Sequence, residues 1–206
     1  STTLHGSNIH TSSLDDTNKK YYYGITDGDP NLSSTDTQFH IAWGHIKGSG
    51  SNSDGGDIKS TTEAVYKQYA SLLLDDNKIE KGFLISSGSD VRSDGEDGNI
   101  DDWIYIINFK RKRFKDQLQP GTWTLTLSGS NGDDGGKTIH LTDNSNLLLN
   151  NEIQINDAGR KFDIISGSAG VQHVGYNQIG GRYGFFYPDV GIMVFGNKLV
   201  SSAGII

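Results

Sequence analysis

The sequence predicts a mainly β fold, either a β-sandwich or an open barrel, with one or two short helices. Three observations support this prediction. Apolar residues make up only 33% of the chain, yet they cluster in short runs that can still form a core. Glycine occurs 27 times, and with Ser, Asn and Asp it fills long turn-forming stretches between the runs. Several runs alternate apolar and polar residues, which is the period of a half-buried strand.

The chain divides into an N-terminal arm and one domain. Residues 1–18 are polar without a regular pattern, and we interpret them as an arm that is loosely ordered or lies on a neighbour. Residues 19–206 contain neither an internal repeat nor a linker, so we expect them to form a single mainly β domain.

Two strands are predicted before the first helix, at residues 21–25 and 38–46. In the second of them, one face carries apolar residues at period two: Phe39, Ile41 and Trp43.

The clearest helix begins after Ser60, which with Glu63 forms a capping-box pattern. Apolar residues then recur at helical spacing, namely Val65, Tyr66, Tyr69, Leu72 and Leu73. A short strand is predicted after this helix, at residues 82–86.

The middle of the chain predicts a strand, a helix and a hairpin. Residues 103–109 are almost continuously apolar, which is typical of a strand buried on both faces. A helix of one to three turns is predicted at 108–118, because Pro120 and Gly121 would end it. The stretches 122–127 and 138–143 alternate well and predict a hairpin.

A further strand at 160–168 and a hairpin at 183–199 complete the predicted sheet. Pro188 sets the geometry of the hairpin turn, and Asp189 can hydrogen-bond to the backbone there. The last strand is apolar on both faces, with one face formed by Val190, Ile192 and Val194 and the other by Met193 and Phe195. It therefore needs cover on both faces, from the helix or from a neighbouring subunit.

Composition excludes several classes of protein. The chain has no cysteine, which excludes disulfides, thiolate metal sites and cysteine nucleophiles. It has no apolar run long enough to span a membrane, and its start lacks the pattern of a signal peptide. The net charge of −7 argues against a general affinity for nucleic acid.

No motif points to catalysis or to a cofactor. The sequence lacks a nucleophile elbow, a phosphate-binding loop and a paired-histidine metal motif, so we expect a protein that is not an enzyme and holds no metal. Acidic glycine-rich stretches at 54–57, 93–102 and 131–136 offer oxygen ligands of the kind that Ca²⁺ prefers, but none fits an EF-hand. We interpret them as turn-forming loops.

A basic run is the candidate partner-binding site: Lys110, Arg111, Lys112, Arg113 and Lys115. Three interpretations are open. The run could bind nucleic acid, which the acidic composition disfavours. It could dock on an acidic neighbour. It could also be a solvated face whose charges balance nearby acidic loops.

Several stretches, taken in order, resemble a module of virion structural proteins from contractile-tailed bacteriophages of cyanobacteria and other marine bacteria. They are "FHIAWGHIKGSGS", "AVYKQYASLLL", "DDWIYIINFKRKRFKDQLQPGTWTLTL", "LTDNS", "GRKFDIISGS" and "YGFFYPDVGIMV". The matching residues span roughly 20–195 and are Phe39, Gly44, His45, 48–51, Tyr105, Asn108, Phe109, Arg111, Arg113, Lys115, Pro120, Gly121, Trp123 and 183–192. The family often carries this module inside much longer chains.

The resemblance implies a virion structural protein, of tail or baseplate type, that acts through assembly contacts with other virion proteins and with copies of itself. A carbohydrate- or receptor-binding module of a tail fibre is the alternative, and so is a capsid or neck decoration protein. Exposure of Trp43, Trp103 or Trp123 on a groove would favour the carbohydrate-binding module. A hydrolase would instead require Ser, His and Asp to converge, with His45 or His173 as the base.

Overall fold

A computed structural model describes seven stretches of the chain: residues 9–13, 20–28, 34–49, 61–85, 100–128, 138–173 and 181–199. The mainly β fold predicted from the sequence is confirmed. The described part contains eleven strands, the helix α1, three short 3₁₀ turns and a helical segment at 197–199.

The strands are β1 (Ile9–Ser13), β2 (Lys20–Thr26), β3 (Thr37–His45), β4 (Trp103–Phe109), β5 (Leu125–Ser128), β6 (Thr138–Asp143), β7 (Gln154–Asn156), β8 (Gly159–Ser168), β9 (Val171–Gln172), β10 (Gly184–Tyr187) and β11 (Ile192–Phe195). Helix α1 spans Thr61–Leu73. All strand pairs are antiparallel, in the order β1-β2-β3-β4-β11-β10-β8-β6-β5, with β7 and β9 added to β8.

The predicted closing hairpin lies at the centre of this sheet. Strand β11 pairs with β4 on one side, and β10 pairs with β8 on the other. Every residue of β10 and β11 is buried. Because side chains alternate between faces, the hairpin contributes to two separate cores, one on each face of the sheet.

Helix α1 covers the first face. The core beneath it, which we call the helix core, contains Tyr66, Ile106, Phe185, Tyr187 and Val194, among others. Strand β3 lies against the helix without an intervening side chain at Gly44, where a Cβ atom would stand 2.7 Å from the backbone nitrogen of Tyr66. Glycine at this position therefore lets the helix backbone rest directly on the sheet.

The second face encloses another core, formed around Phe186, Met193 and Phe195. Phe39 near one end of the strand order and Leu127 at the other both pack against it. The sheet therefore curls around this core, which agrees with the prediction that Met193 and Phe195 face away from Val194. Strand β4 is buried on the helix face at Ile104 and Ile106, whereas Trp103, Tyr105 and Phe109 on the second face are half-buried.

The Pro188–Asp189 turn is tied to strand β8. The Asp189 carboxylate accepts hydrogen bonds from the backbone nitrogen of Arg160 (2.7 Å) and from its Nε (3.2 Å), and it forms an ion pair with the same guanidinium. Gly159 makes room for this contact, because a Cβ there would stand 2.5 Å from the Asp189 carboxylate, and its φ of +99° also favours glycine. The backbone nitrogen of Leu118 donates to the Pro188 carbonyl oxygen (3.0 Å).

The predicted helix at 108–118 is wrong. Strand β4 continues to Phe109, the backbone nitrogen of Lys110 donates to the Gln38 carbonyl oxygen (3.1 Å), and only Arg111–Arg113 form a 3₁₀ turn. The pairing of β4 with β3 therefore decides the backbone here, and it overrides a local helical pattern.

The predicted strand at 82–86 and the inward position of Leu72 are also wrong. Residues 82–85 form no strand, although Phe83 and Ile85 are fully buried. Their backbone nitrogens donate to the Tyr66 hydroxyl (2.9 Å) and to the Asp101 carboxylate (2.9 Å) instead of to a neighbouring strand. Leu72 is 49% exposed.

Residues of the predicted arm form part of the sheet, since Ile9–Ser13 pairs with β2 as strand β1. The predicted capping residue Ser60 lies outside the described residues.

Replacing Gly44 with alanine tests the close approach of α1. The methyl group would meet helix backbone atoms that can move only with the whole helix, so we expect the free energy of unfolding to fall by about 1–3 kcal/mol. Chemical denaturation measures this change. Gly28→Ala is the control, because its methyl group would meet only the end of the Thr35 side chain at 3.1 Å. Equal loss of stability in both variants would contradict the predicted packing.

Lowering the pH tests the Asp189 tether. Burial acts to raise the pKa of Asp189, but the hydrogen bonds and the charge of Arg160 prevail and lower it below its usual value. A lowered folded-state pKa means that the ionised carboxylate stabilises the fold above about pH 4, its unfolded-state pKa, and that this stability is lost as the pH falls through the folded-state value. We expect Asp189→Asn to lower the free energy of unfolding by about 1 kcal/mol at neutral pH.

The difference between wild type and Asp189→Asn should shrink below about pH 4, as followed by denaturant titration at several pH values. The exposed Asp116 makes no hydrogen bond or ion pair with the described residues, so Asp116→Asn is the matched control. A difference that stays constant across the pH range would show that the charge of Asp189 contributes nothing.

Candidate binding surface

The basic run forms a compact segment at the end of strand β4, which we call the basic segment (residues 110–115). Its backbone is closed by a hydrogen bond from Arg113 N to Lys110 O (2.8 Å). The side chains of Arg111, Lys112 and Arg113 project from one short turn and are exposed. The sequence therefore correctly grouped these charges, although on a turn and not on a helix.

Phe114 anchors the basic segment to the central hairpin. Its ring lies against Gly191, where a Cβ atom would stand only 2.5 Å from the ring. The Arg111 guanidinium lies 4.6 Å from the centre of the same ring and donates to the Phe114 carbonyl oxygen (3.1 Å). A cation on an aromatic face in this way holds its position better than a free side chain.

Two of the five cations bind acidic residues of the β2–β3 connection. Lys112 forms an ion pair with Asp36, and Arg113 lies 3.1 Å from Asp36 and 3.8 Å from Asp27. Hydrogen bonding to Lys112 lowers the pKa of Asp36, against an opposing effect of desolvation. These two cations therefore act within the fold, as the interpretation of a charge-balanced face predicts.

The other three cations, Lys110, Arg111 and Lys115, form no ion pair with any described residue. Arg111 and Lys115 are exposed, and Lys110 is half-buried. The predicted site thus divides into an internal pair and an outward group, and the outward group is the part that can bind a partner.

Trp43, Trp103 and Trp123 are all half-buried, so none shows the exposure on a groove that would favour a carbohydrate-binding module. Trp103 packs edge-on against His45, with 4.6 Å between ring centres. Trp123 packs in the same way against Phe186, at 5.4 Å.

Neither His45 nor His173, the two candidate bases, joins a hydroxyl and a described carboxylate into the catalytic arrangement that a hydrolase needs. Ser166 Oγ lies 3.3 Å from His173 Nδ1 and Thr126 Oγ1 lies 3.0 Å from His140 Nδ1, and the rings of His140 and His173 are 6.2 Å apart. Over the described stretches, no group of three or more His, Cys, Asp or Glu side chains could hold a metal ion. The candidate Ca²⁺ loops at 54–57 and 131–136 lie outside those stretches.

Asp101 belonged to the third candidate Ca²⁺ loop, 93–102, of which only the last residues are described. The structure buries its side chain, with 1% of the residue exposed. Its carboxylate accepts hydrogen bonds from Ile85 N (2.9 Å) and Asn197 N (2.7 Å), and its carbonyl oxygen accepts one from the Tyr66 hydroxyl (2.9 Å). Asp101 therefore joins three distant segments, and no local sequence pattern indicates this role.

Sequence analysis also missed a polar cleft at the end of α1, where Lys161 and Tyr187 meet. Its residues come from four separate elements, so no spacing in the sequence could reveal it.

Comparison with known proteins adds no identification: no family model, no characterised protein and no solved structure matches the chain. In the described part of the chain, no helix is long and apolar enough to cross a membrane.

Proposed function

We propose that the chain is a structural component of a bacteriophage virion, of tail or baseplate type, that acts by binding neighbouring protein subunits. The order of motifs across residues 20–195 supports the proposal, because it resembles a module of such proteins. The mainly β fold is compatible with it. In this role the chain is not an enzyme and acts through its surface.

The observation that carries the binding part of the proposal is the outward group of Lys110, Arg111 and Lys115. Lys110, Arg111 and Lys115 form no ion pair with a described acid, and the Arg111 guanidinium lies on the Phe114 ring, which packs against Gly191 of the central hairpin. Charges that are held in place and lack an internal partner favour one orientation of an oppositely charged neighbour and speed its encounter.

A second copy of the chain has the charge that this group needs. The whole chain carries a net charge of −7, so a second copy offers an excess of acidic side chains to a basic cluster. We therefore propose that the basic segment contacts acidic surface of another copy or of a neighbouring acidic virion protein. Such a contact orders subunits and is weakened by salt.

Charge reversal of the outward group tests this contact. The triple variant Lys110→Glu, Arg111→Glu and Lys115→Glu should associate at least about tenfold more weakly than wild type, because attraction becomes repulsion. Size-exclusion chromatography with light scattering measures the oligomer as a function of concentration. The wild-type oligomer should also dissociate as ionic strength rises.

The matched control reverses three exposed lysines elsewhere, Lys47, Lys67 and Lys81, and so changes the net charge by the same amount. It should keep most of the wild-type association. Equal loss in both triple variants would assign the effect to net charge alone, and a wild-type chain that stays monomeric at every concentration would overturn self-association.

The virion location has its own test. The chain should be present in purified particles of the bacteriophage that encodes it, at a constant number of copies per particle, as measured by quantitative mass spectrometry. Accumulation of the chain in infected cells without incorporation into particles would overturn the proposal.

A further inference from the structure

A cleft of about 390 Å³ opens where helix α1 ends against strands β7, β8 and β10. The carbonyl oxygen of Leu73, the last residue of α1, accepts a hydrogen bond from Asn156 Nδ2 (2.6 Å). This bond fixes β7 against the end of the helix. The walls of the cleft are therefore held by secondary structure, and its size suits a small molecule.

The floor of the cleft holds a buried hydroxyl without a partner. Tyr187 is 0% exposed, and its hydroxyl makes no hydrogen bond to the described residues. Asn156 lies nearby, but its side chain binds Leu73 O and Ala158 N (3.0 Å) and makes no hydrogen bond to the hydroxyl.

A buried hydroxyl that lacks a partner is costly to the fold, so its presence calls for an explanation. Burial also raises the pKa of Tyr187 far above its usual value. The hydroxyl therefore stays protonated and can donate a hydrogen bond to a bound acceptor.

Lys161 lines the same cleft without a direct ion pair, and Asp163 and Asp75 act on its charge only at longer range. Lys161 Nζ lies 4.5 Å from the centre of the Phe185 ring and forms no ion pair with a described acid. Its strand neighbour Asp163 faces Arg182 instead, at 3.8 Å. Burial lowers the pKa of Lys161. An ammonium group that has lost part of its water shell and has no anion in direct contact gains from binding one.

Lys78 adds a second positive charge to the rim, where it binds Asp75 at 2.7 Å. The lining charges of Lys78, Asp75 and Lys161 thus sum to one positive charge. Leu74 and Ile155, the latter 75% exposed, supply an apolar edge.

We propose that this cleft binds a small oxyanion, the carboxylate or phosphate group of a small molecule, through the Lys161 ammonium and the Tyr187 hydroxyl. Lys78 strengthens the attraction at the rim, and the rest of the ligand lies against Leu74 and Ile155. A competing explanation is that the cations stabilise the negative, C-terminal end of the α1 dipole. That explanation accounts for Lys78, but it leaves the Tyr187 hydroxyl without an acceptor. The inference is independent of the proposed assembly role.

Titration of the full-length, isotope-labelled chain with sodium phosphate or with sodium acetate tests the site. Both series are run at constant ionic strength near neutral pH, and a sodium chloride series gives the effect of salt alone. We expect a saturable shift of the Lys161 side-chain methylene resonances with at least one anion. Saturation by phosphate alone assigns the site to phosphate esters, and saturation by acetate assigns it to carboxylates.

Two variants remove one donor each. Tyr187→Phe deletes only the unpaired hydroxyl, so the fold should be unaffected or slightly stabilised while affinity for the anion falls about tenfold. Lys161→Met keeps the aliphatic stem and should abolish saturable binding, followed through the backbone resonances of Asn156. Lys67→Met removes a charge from the exposed helix surface and should bind like wild type.

Two outcomes would overturn the proposal. One is the absence of any saturable shift, with phosphate and acetate giving the same linear drift as chloride. The other is equal affinity in wild type and Tyr187→Phe. The second outcome keeps the test decisive even if Lys161→Met fails to fold.

Discussion

The hairpin of β10 and β11 is apolar on both faces and lies in the middle of the sheet, so the fold must cover both faces at once. Helix α1 covers one face, and it can approach closely because Gly44 has no side chain. The other face is enclosed by the curl of the sheet, which packs residues from both ends of the strand order against Met193 and Phe195. The other strands and the helix are therefore arranged so that both faces of the hairpin are covered.

The turn of the same hairpin organises the polar features of the surface. Asp189 ties it to Arg160 of β8, Gly191 receives the ring of Phe114, and so the basic segment is held at a fixed place beside the core. On the helix side, Tyr187 from the same hairpin forms the floor of the oxyanion cleft. The basic segment and the cleft therefore both contact the most deeply buried hairpin of the described sheet. This follows because Phe114 packs on Gly191 and Tyr187 belongs to β10, so each feature contacts the buried hairpin directly.

The local sequence pattern was sufficient to predict a strand where the alternation of apolar residues matches the faces that are buried in the sheet. The alternation around Ile41 and Leu125 predicted β3 and β5, and the two-faced apolar character of β11 predicted the cover on both faces. Pattern failed where a distant partner decided the backbone. The residues after Phe109 have a helical pattern, but the backbone hydrogen bond from Lys110 to Gln38 prevents a helix there. Phe83 is buried without belonging to a strand, because the Tyr66 hydroxyl accepts the hydrogen bond of its backbone nitrogen.

The sequence by itself determined the fold class, the two-faced central strand and the location of a basic run at 110–115, because these depend on composition and on periods of two or four residues. Only the tertiary structure decided which of the cations bind Asp36 and which stay outward, that Asp101 is a buried link between segments, and that Tyr187 and Lys161 share a cleft. These facts depend on contacts between residues far apart in the chain. No local periodicity encodes such contacts, because packing and hydrogen bonding between distant residues are established only when the sheet has formed.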